Sequence, residues 1–263
     1  MTFERSLYAE GLHILGRTLP YALVVLAGDL GVNVLVEVTD ITSGLTFANT
    51  FIWTSYFTVT TLIWAILAYA AHAEILLHAN RDTGKDYQRI FGFGLRSLCL
   101  LVLMAIPFLS VAFLARFARE QSLIGEDELI VVLACFLLAS VLMIFVVLVF
   151  LGTILPAYVA DKGRGVRPAL ARGARQYLYI VSRLIVGPSV VTIILWGVAI
   201  LPAFIFEPTE DVASESYLSE ASFWTASVIS SAIQTYATVL TAVILSRAFL
   251  RDQELEANIK PNA

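Results

Sequence analysis

The chain has 263 residues, of which 59% are hydrophobic and only 14% are charged, and its net charge is −4. Soluble domains average about 25% charged residues, so a soluble fold of this length could not cover so much apolar surface. The mean hydropathy of +0.82 therefore predicts that lipid solvates the exterior. The negative charge balance and the lack of a basic domain in the sequence argue against nucleic acid as a partner.

Six apolar segments predict an all-α, polytopic membrane protein that forms a single domain over residues 1–263. Each segment has at least the roughly 20 residues needed to cross a bilayer core of about 30 Å. Residues 1–17 are predicted to form an interfacial N-terminal segment, and residues 250–263 a cytoplasmic tail. In chain order, the predicted spans cover residues 18–38, 51–77, 95–117, 129–160, 178–206 and 223–249.

Positive charge is concentrated at one side of the predicted spans. Lys and Arg cluster before span one, between spans two and three, between spans four and five, and after span six, whereas acidic residues dominate the opposite loops. Basic loops stay in the cytoplasm, and an even number of spans returns the chain to the side on which it began. The sequence therefore predicts a multi-pass protein of the bacterial inner membrane, with its N-terminus and C-terminus in the cytoplasm.

A short stretch containing glycine precedes each odd-numbered span on the basic side. The three stretches read SLYAEGLHILGR, YQRIFGFGLRSL and PALARGARQYLY, and they align on Gly11, Gly94 and Gly173. Their charged residues alternate with apolar and aromatic ones, as in amphipathic helices at a membrane interface. The sequence thus predicts three hairpins of spans, each introduced by a short interfacial amphipathic helix. Two residues after the aligned glycine stand His13, Arg96 and Arg175.

The loop between spans four and five resembles a recurring bacterial pattern. A span ending in Leu-Pro, a charged turn and an amphipathic Ala/Arg helix follow one another in TILPAYVADKGRGVRPALARGARQYLYIVSRLIVG. With the N-terminal SLYAEGLHILGRTLPYALVVL, this run is similar to a group of six-span bacterial inner-membrane proteins related to the membrane domain of glycerophosphoryl diester phosphodiesterases. Members often carry an acidic residue directly after Leu-Pro, whereas Tyr158 and Val159 precede Asp161 here. The resemblance implies a six-span fold but not phosphodiesterase activity, because this sequence contains no soluble phosphodiesterase barrel.

Polar residues at membrane depth are candidates for function, because an ionisable residue there costs about 2.5–3.5 kcal/mol to insert. Asp29, Asn33 and Glu37 lie four residues apart on one face of span one, and span six has a matching polar row. We expect both faces to point into the bundle. Two interpretations stay open, which are hydrogen bonding between spans and a path for a proton or small solute. The row on span six comprises Ser227, Ser231, Gln234, Thr238 and Thr241.

The basic loop between spans four and five is a candidate contact for anionic lipid headgroups. Each cation near a membrane surface contributes about 1 kcal/mol to such binding. The alternative is that these residues only determine the topology of the chain. The candidate residues are Lys162, Arg164, Arg167, Arg172 and Arg175.

The sequence gives no pattern for a catalytic or metal site. His72, Glu74 and His78 stand at the end of span two, but His72 does not share a helix face with the other two, and a metal needs at least three convergent ligands. We expect these residues to lie in the headgroup zone. Glycine-rich phosphate loops, HExxH and Gly-x-Ser-x-Gly are all absent from the sequence. The sequence therefore predicts no catalytic residue, no metal, no cofactor and no enzymatic activity.

Two functions remain open from the sequence. The first is a non-enzymatic integral inner-membrane protein that organises lipid or accompanies a membrane-protein partner in a larger complex. The second is a small-solute or proton-coupled carrier or channel that uses the polar faces of spans one and six. A carrier requires a water-accessible cavity that reaches Asp29, whereas a structural component requires that these polar groups bond to one another.

Overall fold

The computed structural model is helical throughout the spans that it describes, and it describes residues 6–38, 47–77, 86–120, 126–163, 165–194, 197 and 212–259. Five helices are long and apolar enough to cross a membrane, and the number is six if the bent pair of helices over Leu7–Arg17 and Leu19–Val32 is counted as one span. The predicted all-α, multi-pass membrane fold is therefore confirmed. The helices are α1 (Leu7–Arg17), α2 (Leu19–Val38), α3 (Phe47–Leu76), α4 (Asp86–Glu120), α5 (Glu126–Leu151), α6 (Ile154–Val159), α7 (Val166–Arg175), α8 (Tyr177–Leu184) and α9 (Val212–Ile259).

The predicted interfacial helix before span one is confirmed as a separate element. The side chain of Ser6 accepts a hydrogen bond from the backbone of Ala9 and so caps the start of α1. α1 and the helix that follows it are bent by 83° at Thr18, whose hydroxyl donates to the carbonyl of Ile14 at 2.9 Å. Because α1 is nearly perpendicular to span one, it lies across the end of the bundle.

The other two predicted interfacial segments differ from each other. α7 is a separate helix, and a turn at Gln176 divides it from α8. By contrast, α4 runs without a break from Asp86 to Glu120, so the prediction of a separate interfacial helix before span three is wrong. The physical reason is that this segment already packs inside the bundle, since Phe93 is fully buried against α3.

The three aligned glycines share one structural role. Gly11 packs on α9, Gly94 on α3 and Gly173 on α5. Each glycine therefore lies against the second span of a hairpin other than the one that it introduces. The closest approach is at Gly173, where an added Cβ would lie 2.5 Å from the carbonyl oxygen of Val149. Small residues allow helices in lipid to approach this closely. The packing of α1 on α9 thus joins the first described helix to the last span.

The last helix is the centre of the bundle. Residues 239–245 of α9 are almost all fully buried, and they pack against α1, α2, α3 and α8. α9 also extends beyond the predicted span at both ends. The acidic stretch from Val212 is helical, and so are the first ten residues of the predicted tail, up to Ile259. Residues 260–263 lie outside the described part of the chain.

Two prolines that the sequence places inside spans have different surroundings. Pro156 does not kink span four, because α5 ends at Leu151 and Pro156 lies in the first turn of α6, where its missing N–H has no helical partner to lose. Pro188 does distort span five, which changes to a π-helical turn over Ile185–Ser189. The hydroxyl of Tyr8 donates to a carbonyl of this turn, that of Val186, at 2.5 Å. α1 is thereby attached to span five as well as to α9.

Candidate functional site

Asp29 lies at the junction of three spans. Its carboxyl group is on α2 and the residue is 8% exposed. One carboxyl oxygen accepts a hydrogen bond from the indole nitrogen of Trp64 at 3.2 Å, and the other from the hydroxyl of Ser231 at 2.5 Å. Because Trp64 is on α3 and Ser231 on α9, the expectation that Asp29 and Ser231 point into the bundle is confirmed, and spans one and six are in contact at this point.

The rest of the predicted polar row on α9 does not follow Ser231 into the bundle. Gln234 is exposed and Thr238 is half-buried, so the expectation that Gln234 points towards span one is wrong. Thr235 is buried in its place, and its hydroxyl donates to the carbonyl of Ser231 at 2.7 Å. Ser231 and Gln234 are three residues apart, which is less than a full helical turn, so their side chains point in different directions. Only Ser231 therefore meets Asp29. The side chains of Asn33 and Glu37 lie outside the described part of the structure.

Four ionic or aromatic contacts gather the basic residues at one end of the molecule, which we call the basic end. They join α1 to α3, α1 to α9, α7 to α9, and α4 to α6. The predicted segregation of these charges to one side is therefore confirmed by direct contacts. The pairs are Arg17 with Glu74 at 2.6 Å, Arg247 with Glu10 at 2.8 Å, Arg175 with Asp252 at 2.7 Å, and Arg96 over the ring of Tyr158 at 3.9 Å.

Arg172 is directed into the protein and not towards lipid headgroups. Its side chain is buried beside the ring of Phe249, and it donates to both the hydroxyl and the carbonyl oxygen of Thr153 at 3.4 Å. It also donates to the carbonyl of Gly163 at 3.2 Å. Burial lowers the pKa of this guanidinium. Arg172 thus joins the turn before α6 to the loop before α7, and the prediction of a lipid contact is wrong here because its side chain is buried.

Arg175 also makes its strongest contacts within the protein. Two of its nitrogens donate to the two carboxylate oxygens of Asp252 at 2.7 Å, and a third contact reaches Glu256 at 2.8 Å. The hydrogen bond to Asp252 raises the pKa of Arg175. Asp252 is only 2% exposed, and sequence reasoning missed it because it falls in the stretch predicted as a free tail. The pair fixes α7 to the end of α9, but 43% of the Arg175 side chain is still exposed, so its contact with lipid headgroups stays a prediction.

Two of the predicted headgroup contacts stay accessible. Lys162 and Arg167 are exposed at the start of the interfacial helix α7, on either side of a turn that includes Gly165 with φ of +130°. Only glycine adopts that conformation without strain, so the turn is fixed by the sequence. Arg164 lies outside the described residues.

The described residues at the polar end of span two make contacts within the protein. His72 is buried, its ring packs on Phe93, and its Nδ1 lies 2.6 Å from the hydroxyl of Ser246 on α9. This corrects the expectation that His72 lies among headgroups. Glu74 pairs with Arg17. His78 lies outside the described residues, and within them no three His, Cys, Asp or Glu side chains are placed to hold a metal ion.

Comparisons of the chain with protein-family models, with curated proteins and with solved structures found no match.

Proposed function

We propose that this protein is a non-enzymatic integral component of the bacterial inner membrane that binds anionic lipid headgroups at its basic end. The observation that supports it is the exposed part of α7 and α8. Lys162 and Arg167 stand there without an ion pair among the described residues, beside the exposed apolar side chains of Leu170 and Leu178. Cations next to apolar side chains fit the boundary between headgroups and acyl chains.

The other two glycine-containing stretches expose side chains of the same character. At the start of α4, Arg89 is exposed between the exposed rings of Tyr87 and Phe91. On α1, Leu12 and His13 are both exposed. Three surfaces of one kind around one end of the bundle favour contact with a lipid layer over a single localised ligand.

The orientation and the membrane are part of the proposal. The basic end faces the cytoplasm because basic segments resist translocation, and both chain termini then lie on that side. We also propose that the protein belongs to the six-span family that its sequence resembles, and the sequence of the loop between spans four and five supports this.

A proton or solute path through Asp29 is the less favoured function. Both carboxyl oxygens of Asp29 already accept hydrogen bonds from neighbouring spans, and the residue is almost completely buried. A group bonded in this way matches the requirement for a structural component, in which intramembrane polar groups hold helices together.

The test compares two pairs of charge-neutralising substitutions. Lys162→Gln with Arg167→Gln removes two cations at the basic end, and the matched control, Arg116→Gln with Arg119→Gln, removes two cations near the far end of α4. The measured quantity is the preference of the purified protein for phosphatidylglycerol over phosphatidylcholine, determined by native mass spectrometry. We expect the ratio of phosphatidylglycerol binding to phosphatidylcholine binding to fall at least tenfold in the first variant, because each of the two cations contributes about 1 kcal/mol.

The control variant should retain the preference of the unmodified protein. An unchanged preference in the Lys162/Arg167 variant, or an equal loss in both variants, would contradict lipid binding at the basic end. If the lipid preference is absent and another protein co-purifies in fixed stoichiometry, membership in a complex would replace lipid binding as the function of this protein.

A further inference from the structure

Three arginine side chains gather around one tyrosine ring at the basic end, and we call this group the Tyr179 cluster. Tyr179 and Arg183 lie one turn apart on α8, and the guanidinium carbon of Arg183 is 5.9 Å from the centroid of the tyrosine ring. The guanidinium carbon of Arg251 on α9 is 4.5 Å from the same centroid. Arg247 lies one turn before Arg251, and it is close enough for its charge to act on Tyr179.

The cluster carries more positive charge than its described neighbours neutralise. Arg247 is paired with Glu10 of α1 at 2.8 Å. Within the described ranges, neither Arg183 nor Arg251 forms an ion pair or a hydrogen bond, and the hydroxyl of Tyr179 has no hydrogen-bond partner. Contact with the ring attracts both cations, but it uses none of the five N–H donors that each guanidinium carries. Like charges repel each other, so an anion bound here would stabilise the cluster.

Contacts between three helices hold the cluster in position. Two nitrogens of Arg247 donate to one carboxylate oxygen of Glu10, at 2.9 and 2.8 Å, and so join α9 to α1. The hydroxyl of Tyr8 joins α1 to span five at the carbonyl of Val186. A site whose groups are already positioned loses less entropy when a ligand binds. The cluster therefore differs from single cations on an open surface.

The cluster is accessible from outside the described bundle, and an apolar side chain lies next to it. Arg251 is exposed, and Tyr179 and Arg183 are half-buried. Val186 lies three residues after Arg183, on the same face and one turn deeper in span five, and it is 50% exposed. Cations at headgroup level with an apolar side chain below them suit a phospholipid, whereas a soluble anion gains nothing from Val186.

We propose that Arg183, Arg251 and the hydroxyl of Tyr179 form a binding site for the phosphomonoester headgroup of a phospholipid. A phosphomonoester carries a charge of about −1.5 to −2 near pH 7 and has three oxygens that accept hydrogen bonds, so it matches two cations better than a phosphodiester with a single negative charge. The planar guanidinium donates to phosphate oxygens in pairs. This site rests on the proposed function, because the basic end must lie among headgroups, but its residues are not Lys162 or Arg167.

The test compares two double variants of the full chain by native mass spectrometry. Arg183→Gln with Arg251→Gln removes the two unpaired cations, and Lys162→Gln with Arg167→Gln is the control with the same change in charge. The measured quantity is the ratio of phosphatidic acid binding to phosphatidylglycerol binding, with identical acyl chains. We expect the unmodified protein to prefer phosphatidic acid and the ratio to fall about tenfold in the first variant. The control should lower the binding of both anionic lipids and leave their ratio unchanged.

A conservative variant guards against misfolding of the first. Tyr179→Phe retains the ring between the guanidiniums and removes only the hydroxyl, so the ratio should fall about threefold, as expected for one hydrogen bond. An unchanged ratio in Tyr179→Phe, or an equal fall in both double variants, would overturn the site. Excess inorganic phosphate separates the two sources of phosphate. Retention of phosphatidic acid supports a lipid ligand, and its displacement would replace the lipid with a soluble phosphate.

The same measurement distinguishes failure of this site from failure of the proposed function. If the unmodified protein prefers phosphatidylglycerol over phosphatidylcholine but does not prefer phosphatidic acid over phosphatidylglycerol, the site is overturned and the proposed function is retained. If both preferences are absent, both proposals are overturned.

Discussion

The two ends of the bundle are built differently. At the basic end, the core of α9 is buried on all sides, and polar groups such as His72 and Asp252 have partners on other helices. Towards the other end, Leu138 and Leu142 on α5 and Gln234 on α9 are exposed. The difference teaches that contacts between helices hold the basic end together, whereas the described side chains towards the opposite end make fewer of them.

This contrast has a physical origin in the membrane. Lipid tails are as apolar as leucine, so helices gain little from burying apolar surface and depend on close packing and hydrogen bonds instead. The aligned glycines, which permit close packing, and most of the ion pairs lie at the basic end. Stability should therefore be concentrated there, and substitutions can test this.

The largest effect is expected for Gly173→Ala. The new Cβ would lie 2.5 Å from the carbonyl oxygen of Val149 and 2.7 Å from the Cα of Phe150, and a backbone cannot move aside as a side chain can. Overpacking of this kind costs about 3 kcal/mol at its upper end. The measurement is the thermal midpoint in mild detergent, which we expect to fall by several degrees. Gly16→Ala is the matched control, because no atom lies within 4 Å of its added Cβ, and a similar fall in both variants would contradict the close-packing role.

A smaller difference is expected between two Leu→Ala substitutions, one at each end. Leu245 is 1% exposed and packs on Gly152, whereas Leu142 is 58% exposed. Leu245→Ala leaves a cavity and should cost about 2 kcal/mol, while Leu142→Ala exchanges one lipid contact for another and should cost less than about 0.5 kcal/mol. Unfolding in a denaturing detergent titration measures both. Equal losses of stability in the two variants would contradict the conclusion that the end with the exposed Leu142 is less tightly packed.

The smallest effect concerns Asp29, which lies between the two ends. Asp29→Asn retains an oxygen that accepts from Trp64 and gains an NH₂ group that can donate to Ser231, so its stability should match that of the unmodified protein. Asp29→Leu removes both hydrogen bonds and should cost about 1 kcal/mol, since such bonds average about 0.6 kcal/mol in membranes. The same denaturing titration applies. If Asp29→Asn is as destabilised as Asp29→Leu, the charge itself and not the hydrogen bonding holds the cluster.

The sequence predicted the spans because apolar length is a one-dimensional property, and it predicted that Asp29 points into the bundle because an ionisable group in lipid needs a partner. It was wrong where one pattern is compatible with two different surroundings. Arg172 has the sequence surroundings of a headgroup contact, but the turn between α5 and α6 brings Thr153 next to it. Helical spacing likewise placed Gln234 with Ser231, whereas Ser231 is buried and Gln234 is exposed.

The packing of α1 on α9 sets an order in which the described helices can assemble. Gly11 on α1 lies against Leu240 in the buried stretch of α9, and the hydroxyl of Tyr8 bonds to span five. Because α1 is the first described helix and α9 the last, the contact between them forms only after the last span has been synthesised. The first helix therefore reaches its final position late, once the rest of the bundle is in the membrane.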